Sequence, residues 1–117
     1  MRFIETPVFT EGLLETLTDD EYHSMQMALM LRPTMGAVIR DGGGLRKVRW
    51  GTRGRGKRGG VRVIYYWAEA DSTIYLLLIY RKVDQDDLTP RQLKVLRRLG
   101  VTVGFPQDQT CCGQPVY

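Results

Sequence analysis

The run Ile74 to Tyr80, IYLLLIY, constrains this chain more than any other stretch. It is apolar at every position, so neither face of a strand built from it can meet water. It is far too short to span a bilayer. It therefore predicts a central strand covered on both sides. Val61 to Ala68 (VRVIYYWA) predicts a second strand, with Glu69 to Ser72 as the hairpin turn between the two. A chain of 117 residues, 43% of them hydrophobic, fits one compact domain around such a sheet.

Further elements follow from local signals. Arg2 to Glu5 predicts a short first strand, limited by Pro7, and Thr10 to Leu17 one or two helical turns. Thr18-Asp19-Asp20-Glu21 is a capping box, with Leu17 and Tyr22 placed to form a hydrophobic staple. The helix it opens should reach about Leu31, because Pro33 cannot continue it. Ala37 to Arg40 holds a short extended piece, and Gly42 to Gly44 permits a tight bend. Leu45 to Trp50 alternates apolar and basic residues, with Arg46 out of phase, and predicts a strand with a basic face. Near the C-terminus Thr89 forms an N-cap, Pro90 takes the first helical position, Gln92 closes a capping box, and Leu88 with Leu93 forms the staple. Gly100 suits the residue after that helix. The order β-α-α-β-β-β-α predicts an α+β domain: a small, mainly antiparallel sheet with helices packed on one face.

Charge is unevenly spread. The net charge is +4, yet Gly42 to Arg62 (GGGLRKVRWGTRGRGKRGGVR) holds many cations and no acid, while Glu11, Glu15, Asp19, Asp20 and Glu21 lie together near the N-terminus. Arginine offers forked phosphate contacts, and glycine lets backbone approach a phosphate closely. The combination predicts a polyanion ligand, with RNA first. Aromatics on or beside the strands, among them Trp50, Tyr65, Tyr66, Trp67, Tyr75 and Tyr80, are core residues or base-stacking surfaces. Gly51 to Arg58 nearly spells a phosphate loop, and Gly54 to Gly59 matches the dinucleotide pattern. Both need a helix next, where this chain has a strand. His23 stands alone in an acidic helix start. Asp84, Asp86 and Asp87 read as a solvated turn before the last helix, with a magnesium site as the sharper alternative. Cys111 and Cys112 are adjacent, which disfavours a bridge between them. No metal or cofactor is expected. With no leader-like apolar segment at Met1 to Gly12 and no membrane-spanning run, a cytoplasmic location is expected.

The segments GGLRKVRW, GRGKRGGVRVIYYW, IYLLLIYRK and DDLTPRQLK resemble the phage-related HigB branch of the RelE-like toxins, over about residues 3–96. The resemblance implies a compact domain over residues 1–99 that acts as a ribosome-dependent mRNA endonuclease and inhibits translation. It implies two partners: mRNA on the ribosome, at the decoding A site with its rRNA, and a HigA-like helix-turn-helix antitoxin. Carried over by position, the catalytic set falls on Lys47, Arg49, Arg62 and Lys82. Arg46, Arg53, Arg55, Lys57, Arg58 and Arg81 fall in the RNA- or ribosome-binding set. A tyrosine used by some members corresponds to Leu88 here, so its role is unfilled or passes to a residue such as Tyr80. The implied chemistry is attack of a ribose 2′-hydroxyl on the adjacent phosphate, leaving a 2′,3′-cyclic phosphate and a free 5′-hydroxyl. Lys47 or Arg49 would position the backbone or supply the base, Arg62 would stabilise the phosphorane, and Lys82 or Arg81 the leaving oxygen. The alternative is a non-catalytic RNA- or DNA-binding module, or a decayed toxin. Residues 100–117 form an irregular tail. From Leu96 onward, LRRLGVTVGFPQDQTCCGQPVY resembles a fragment of a cysteine-rich CCG domain, but two cysteines cannot complete a four-cysteine cluster.

Overall fold

The computed structural model describes residues 1–51, 60–85 and 88–102, with side chains described up to Arg98. Strand β1 (Arg2–Glu5) is followed by helices α1 (Pro7–Thr16) and α2 (Asp19–Leu31). Then come β2 (Ala37–Val38), β3 (Arg46–Trp50), β4 (Val61–Ala68), a single 3-10 turn (Glu69–Asp71), β5 (Thr73–Arg81) and helix α3 (Pro90–Thr102). The five strands form one sheet in the order β1-β5-β4-β3-β2. β1 runs parallel to β5, and the other pairs are antiparallel. The class is the expected α+β, with Ala37–Val38 realised as a short edge strand.

The expected central strand is β5, flanked by β1 and β4 and buried on both faces. Along β4, Val61, Val63 and Tyr65 join one core cluster, and Ile64, Tyr66 and Ala68 another. The first cluster contains Phe9 and Leu13 of α1 and Met25 and Leu29 of α2. The second contains Leu96 of α3, with Leu88 and Leu93 packed against it. The helices therefore lie on both faces: α1 and α2 on one, α3 on the other. One irregularity adjusts the alternation. Ile64 pairs with Leu78 but Tyr65 with Leu76, so Leu77 is an extra residue on β5. The bulge puts Leu77 and Leu78 on the same side, and both join the α3 cluster.

Helix boundaries differ from expectation at two places. α1 begins at Pro7, three residues early, because Thr6 caps it: its hydroxyl accepts from the Phe9 amide at 3.0 Å and donates to the Leu77 carbonyl at 2.9 Å. This is the same Thr-Pro start that opens α3. α3 continues to Thr102, so Gly100 lies inside the helix rather than after it. The two capping boxes form as expected. Thr18 and Glu21 exchange bonds of 2.8 and 3.1 Å, and Thr89 and Gln92 exchange two of 3.1 Å. Gly12 is required by packing: a Cβ there would lie 2.8 Å from Ile79 Cγ2 and 3.0 Å from its carbonyl oxygen. α1 can press onto β5 only because this position is bare.

Glu5, Thr10 and Tyr22 tie β1, α1 and α2 together. The Glu5 carboxylate accepts from the Thr10 hydroxyl at 2.6 Å and the Tyr22 hydroxyl at 2.5 Å. Burial, and then the neighbouring carboxylate, raise the Tyr22 pKa well above its ordinary value. The folded state thus keeps a proton that the unfolded chain releases above about pH 10. Stability is present below that value and is lost as pH rises beyond it. Tyr22→Phe is expected to cost roughly 1 kcal/mol near neutrality and to make the urea midpoint fall less between pH 9 and 11 than in the parent. An unchanged alkaline slope would rule this link out.

Candidate nucleic-acid interface

The cations of the middle segment are sorted by strand parity. Lys47 pairs with Ile64, Val48 with Val63 and Arg49 with Arg62, while Arg62 also pairs with Tyr80 on its other side. Val48 and Val63 belong to the α1–α2 face. Lys47, Arg49 and Arg62 therefore occupy the α3 face, with Ile64 and Tyr80. The apolar residues of α3 pack on β4 and β5, which leaves β3 the open part of that face. Lys47 there is half-buried and Arg49 exposed.

Arg62 is the unusual member. It is only 6% exposed, and its cross-strand neighbour is another arginine. Among the described residues, no carboxylate or other acceptor bonds its guanidinium. Directly opposed like charges are destabilising in a sheet, and the little surface left to Arg62 hydrates its charge poorly.

Lys82 arrives from the end of β5. Its amide donates to the Gly60 carbonyl at 3.2 Å, which sets it beside the start of β4. Arg49, Arg62 and Lys82 thus gather at one end of the sheet, where β3 ends, β4 begins and β5 turns. The Lys82 side chain is exposed there. Arg81 pairs with Val61 and has the opposite parity. Its Nε bonds the Asp84 carboxylate at 3.1 Å, with both side chains about half exposed. An exposed pair of this kind holds weakly, so a phosphate could recruit Arg81.

Arg46 is not brought to this group. It shares the α1–α2 face with Val48 and Trp50, and its Nη1 donates to the carbonyls of Thr34 at 3.2 Å and Gly36 at 2.8 Å. There it fastens the connection after α2. Arg53, Arg55, Lys57 and Arg58 lie outside the described residues, as do Asp86, Asp87, Cys111 and Cys112. His23 is exposed on α2. The Tyr80 side chain is 7% exposed and its hydroxyl is enclosed. Among the described residues, no three His, Cys, Asp or Glu side chains gather as metal ligands.

One further feature was not visible in the sequence, and another gives form to the bend expected at Gly42 to Gly44. Arg49, Trp50 and Gly51 form one wall of a cleft of about 810 Å³, whose other wall is Thr18, Asp20, Glu21 and Ser24 at the start of α2. The two walls are about thirty residues apart in the chain, so no local pattern joins them. The second is the turn before β3. Asp41, Gly43 and Gly44 have φ of 60°, 66° and 99°. A Cβ on Gly44 would lie 2.8 Å from the Tyr66 ring, and one on Gly43 would lie 3.8 Å from Arg97 Nε of α3. This left-handed turn leads from β2 into β3, which pair as an antiparallel edge.

The sheet thus carries Lys47, Arg49 and Arg62 on the face that it shares with the C-terminal helix. A family model described as the RelE toxin of the RelE/RelB toxin–antitoxin system matches residues 25–110. That is most of the chain, which belongs to the RelE toxin family. Short stretches are also similar to proteins named Lactate utilization protein A. The one from Anoxybacillus flavithermus is 60% identical over 25 residues, which is 21% of this chain and 10% of that protein. The one from Bacillus pumilus is 48% identical over 33 residues, 28% of this chain and 14% of that protein. The chain thus spans only about a tenth of the length of these curated relatives. Among the described residues, no helix is long and apolar enough to cross a membrane.

Proposed function

We propose that the chain is the toxin of a type II toxin–antitoxin system, an endoribonuclease of the HigB type that cuts mRNA in the ribosomal A site. The observation that carries this reading is Arg62: a residue only 6% exposed, paired across the sheet with Arg49, whose guanidinium has no acceptor among the described residues. A phosphodiester supplies the missing charge. The substrate 2′-oxygen attacks the adjacent phosphorus, and the bond to the 5′-oxygen breaks. The proton lost from the 2′-hydroxyl leaves through a base, and another is delivered to the departing 5′-oxygen. The products are a 2′,3′-cyclic phosphate and a 5′-hydroxyl. Arg62 and Arg49 neutralise the charge that grows on the nonbridging oxygens. Lys47, half-buried on the same face, positions the backbone or acts as the base. Lys82 sits where the leaving oxygen can reach its ammonium, with Arg81 beside it. The ribosome supplies the orientation that an open sheet face cannot. The partners are a HigA-like antitoxin and the rRNA around the A site. The place of action is the cytoplasm.

The enclosed hydroxyl of Tyr80 favours a second reading, a domain that binds RNA without cutting it. Induced expression with mapping of RNA 5′ ends separates the two. The nuclease reading expects growth arrest and new 5′-hydroxyl ends within codons, lost when initiation is blocked. Tight, salt-sensitive RNA binding without new ends would establish the module instead. The CCG-like tail is proposed to be a fused or recombined segment with no cluster of its own.

A further inference from the structure

The cleft between the start of α2 and the end of β3 has no role in the chemistry above beyond Arg49. It is about 810 Å³, and its walls are unlike. One wall holds Arg49, which also belongs to the cation group, and Trp50, a partly buried side chain packed against the α1–α2 core. The other holds Thr18, Asp20, Glu21 and Ser24. Thr18 and Glu21 are engaged in the capping box. Asp20 and Ser24 are exposed and share one helix face at i, i+4 spacing. Asp20, Ser24, Arg49 and the Trp50 indole make no hydrogen bond or ion pair among the described residues. The cleft thus joins an aromatic surface to an uncommitted acceptor, with a cation at its mouth.

We propose that this cleft binds one unpaired guanine of the RNA, beside a phosphate held at Arg49; this rests on the RNA reading above, with or without cleavage. Charge sorts which part of a nucleotide enters. The Asp20 carboxylate repels phosphate, so the backbone stays at Arg49 and the neutral base turns inward. Trp50 offers a stacking surface that suits any base. Asp20 makes the choice. An ionised carboxylate only accepts hydrogen bonds. The pairing edge of guanine carries adjacent donors at N1 and the 2-amino group, which meet the two carboxylate oxygens together. Adenine and cytosine set a ring-nitrogen lone pair beside their one amine, and uracil sets carbonyl oxygens on both sides of N3–H. Each of these turns an acceptor toward the carboxylate. Ser24 is placed to donate to the guanine O6. A basic peptide also suits an aromatic ring beside a carboxylate, but it would have to enter past Arg49.

The test is fluorescence anisotropy of the full chain with RNA hexamers whose 2′-O-methyl sugars prevent cutting. Each has one variable base, G, A, C, U or inosine, in an oligouridine background. Guanine should bind about tenfold tighter than A, C or U. Inosine, which keeps N1–H and lacks the 2-amino group, should fall between. Asp20→Ala should bring guanine down to the uridine level. Trp50→Ala should weaken every hexamer by a similar factor, on the order of tenfold. Trp50→Leu, which keeps apolar contact with the core but offers no stacking surface, should do the same, and thermal melts check that each variant folds. No binding, equal affinity for all five hexamers, or a guanine preference that survives Asp20→Ala would overturn the guanine site. GMP that competes as well as the guanine hexamer would assign the cleft to a free nucleotide and overturn the RNA source. An oligoarginine peptide whose binding Asp20→Ala abolishes would assign it to a basic protein segment instead. A guanine preference in a chain that leaves growth and mRNA intact on induction would remove the nuclease and keep the cleft. Cut mRNA without any guanine preference would do the reverse.

Discussion

Arg62→Met is expected to abolish growth arrest on induction and at the same time to raise the melting temperature. The two effects have one cause. Arg62 is 6% exposed, paired across the sheet with Arg49 and without an acceptor among the described residues, so its charge is expected to be poorly compensated in the free protein. Methionine keeps much of the volume and removes the charge, and replacing buried charge by well-packed apolar groups is neutral or stabilising. A gain of about 1 kcal/mol would raise Tm by several degrees in a domain of this size. The nuclease loses a preorganised donor to the transition state. Deleting one such donor costs on the order of a hundredfold to a thousandfold in rate. Arg62→Lys separates charge from geometry: it keeps a cation but not the planar fork, and intermediate cleavage is expected. Primer extension on ribosome-bound mRNA and a thermal melt decide the matter. A folded Arg62→Met that still arrests growth would remove Arg62 from the site. A lowered Tm would show that the guanidinium has partners that stabilise it.

How much of this was legible beforehand depends on whether the signal was local. The capping boxes at Thr18 and Thr89 were readable because every participating residue lies within four positions. The start of α1 carries the same kind of signal at Thr6-Pro7, yet Pro7 equally suits the end of the strand before it. A proline after an extended segment suits both roles. Choosing between them required the Leu77 carbonyl that accepts from Thr6, which comes from a distant strand. The apolar run of β5 showed that both faces are covered but not what covers each. Leu93 and Leu96 mark the inner side of α3 without saying which side of the sheet it meets. The bulge at Leu77 leaves no mark in a run of consecutive leucines, although it turns Leu77 and Leu78 to the same side.

For the site, parity carried most of the information. Lys47 and Arg49 alternate with Val48 and Trp50, so a shared face was predictable, and Arg62 joins it through the register of β3 on β4. Arg46 stands among these cations in sequence but is out of phase with them. The strand begins at Arg46, so Arg46 faces as Val48 does, and Leu45 is the residue that shares the side of Lys47. The burial of Arg62 could not be foreseen, because an arginine within an apolar strand usually has a carboxylate nearby, and no described residue supplies one.

The other large effect belongs to a residue with no part in the chemistry. Gly36→Ala is expected to cost roughly 2–3 kcal/mol, lowering Tm by on the order of 10 °C. A Cβ at this position would lie 2.8 Å from Tyr65 Cε1, 2.9 Å from the Tyr65 hydroxyl and 3.0 Å from the Lys47 carbonyl oxygen. None of these can give way easily. The Tyr65 ring is fully buried, and its hydroxyl donates to the Pro33 carbonyl at 2.7 Å and accepts from the Gly36 amide at 2.9 Å. The Lys47 backbone belongs to the β2–β3 ladder. Relief must come either from breaking the tyrosine bonds or from peeling β2 away, and the second route shifts Lys47. Tyr65→Phe tells them apart. Alone it should cost about 1–2 kcal/mol, because the Gly36 amide and Pro33 carbonyl lose their partner. Combined with Gly36→Ala, the total should fall short of the sum by at least 0.5 kcal/mol, since the hydroxyl clash is gone and only the ring contact remains. Urea midpoints of the four proteins measure this coupling. Additive losses would mean that β2 has moved instead, and cleavage should then drop further than the folded fraction does, because Lys47 moves with it.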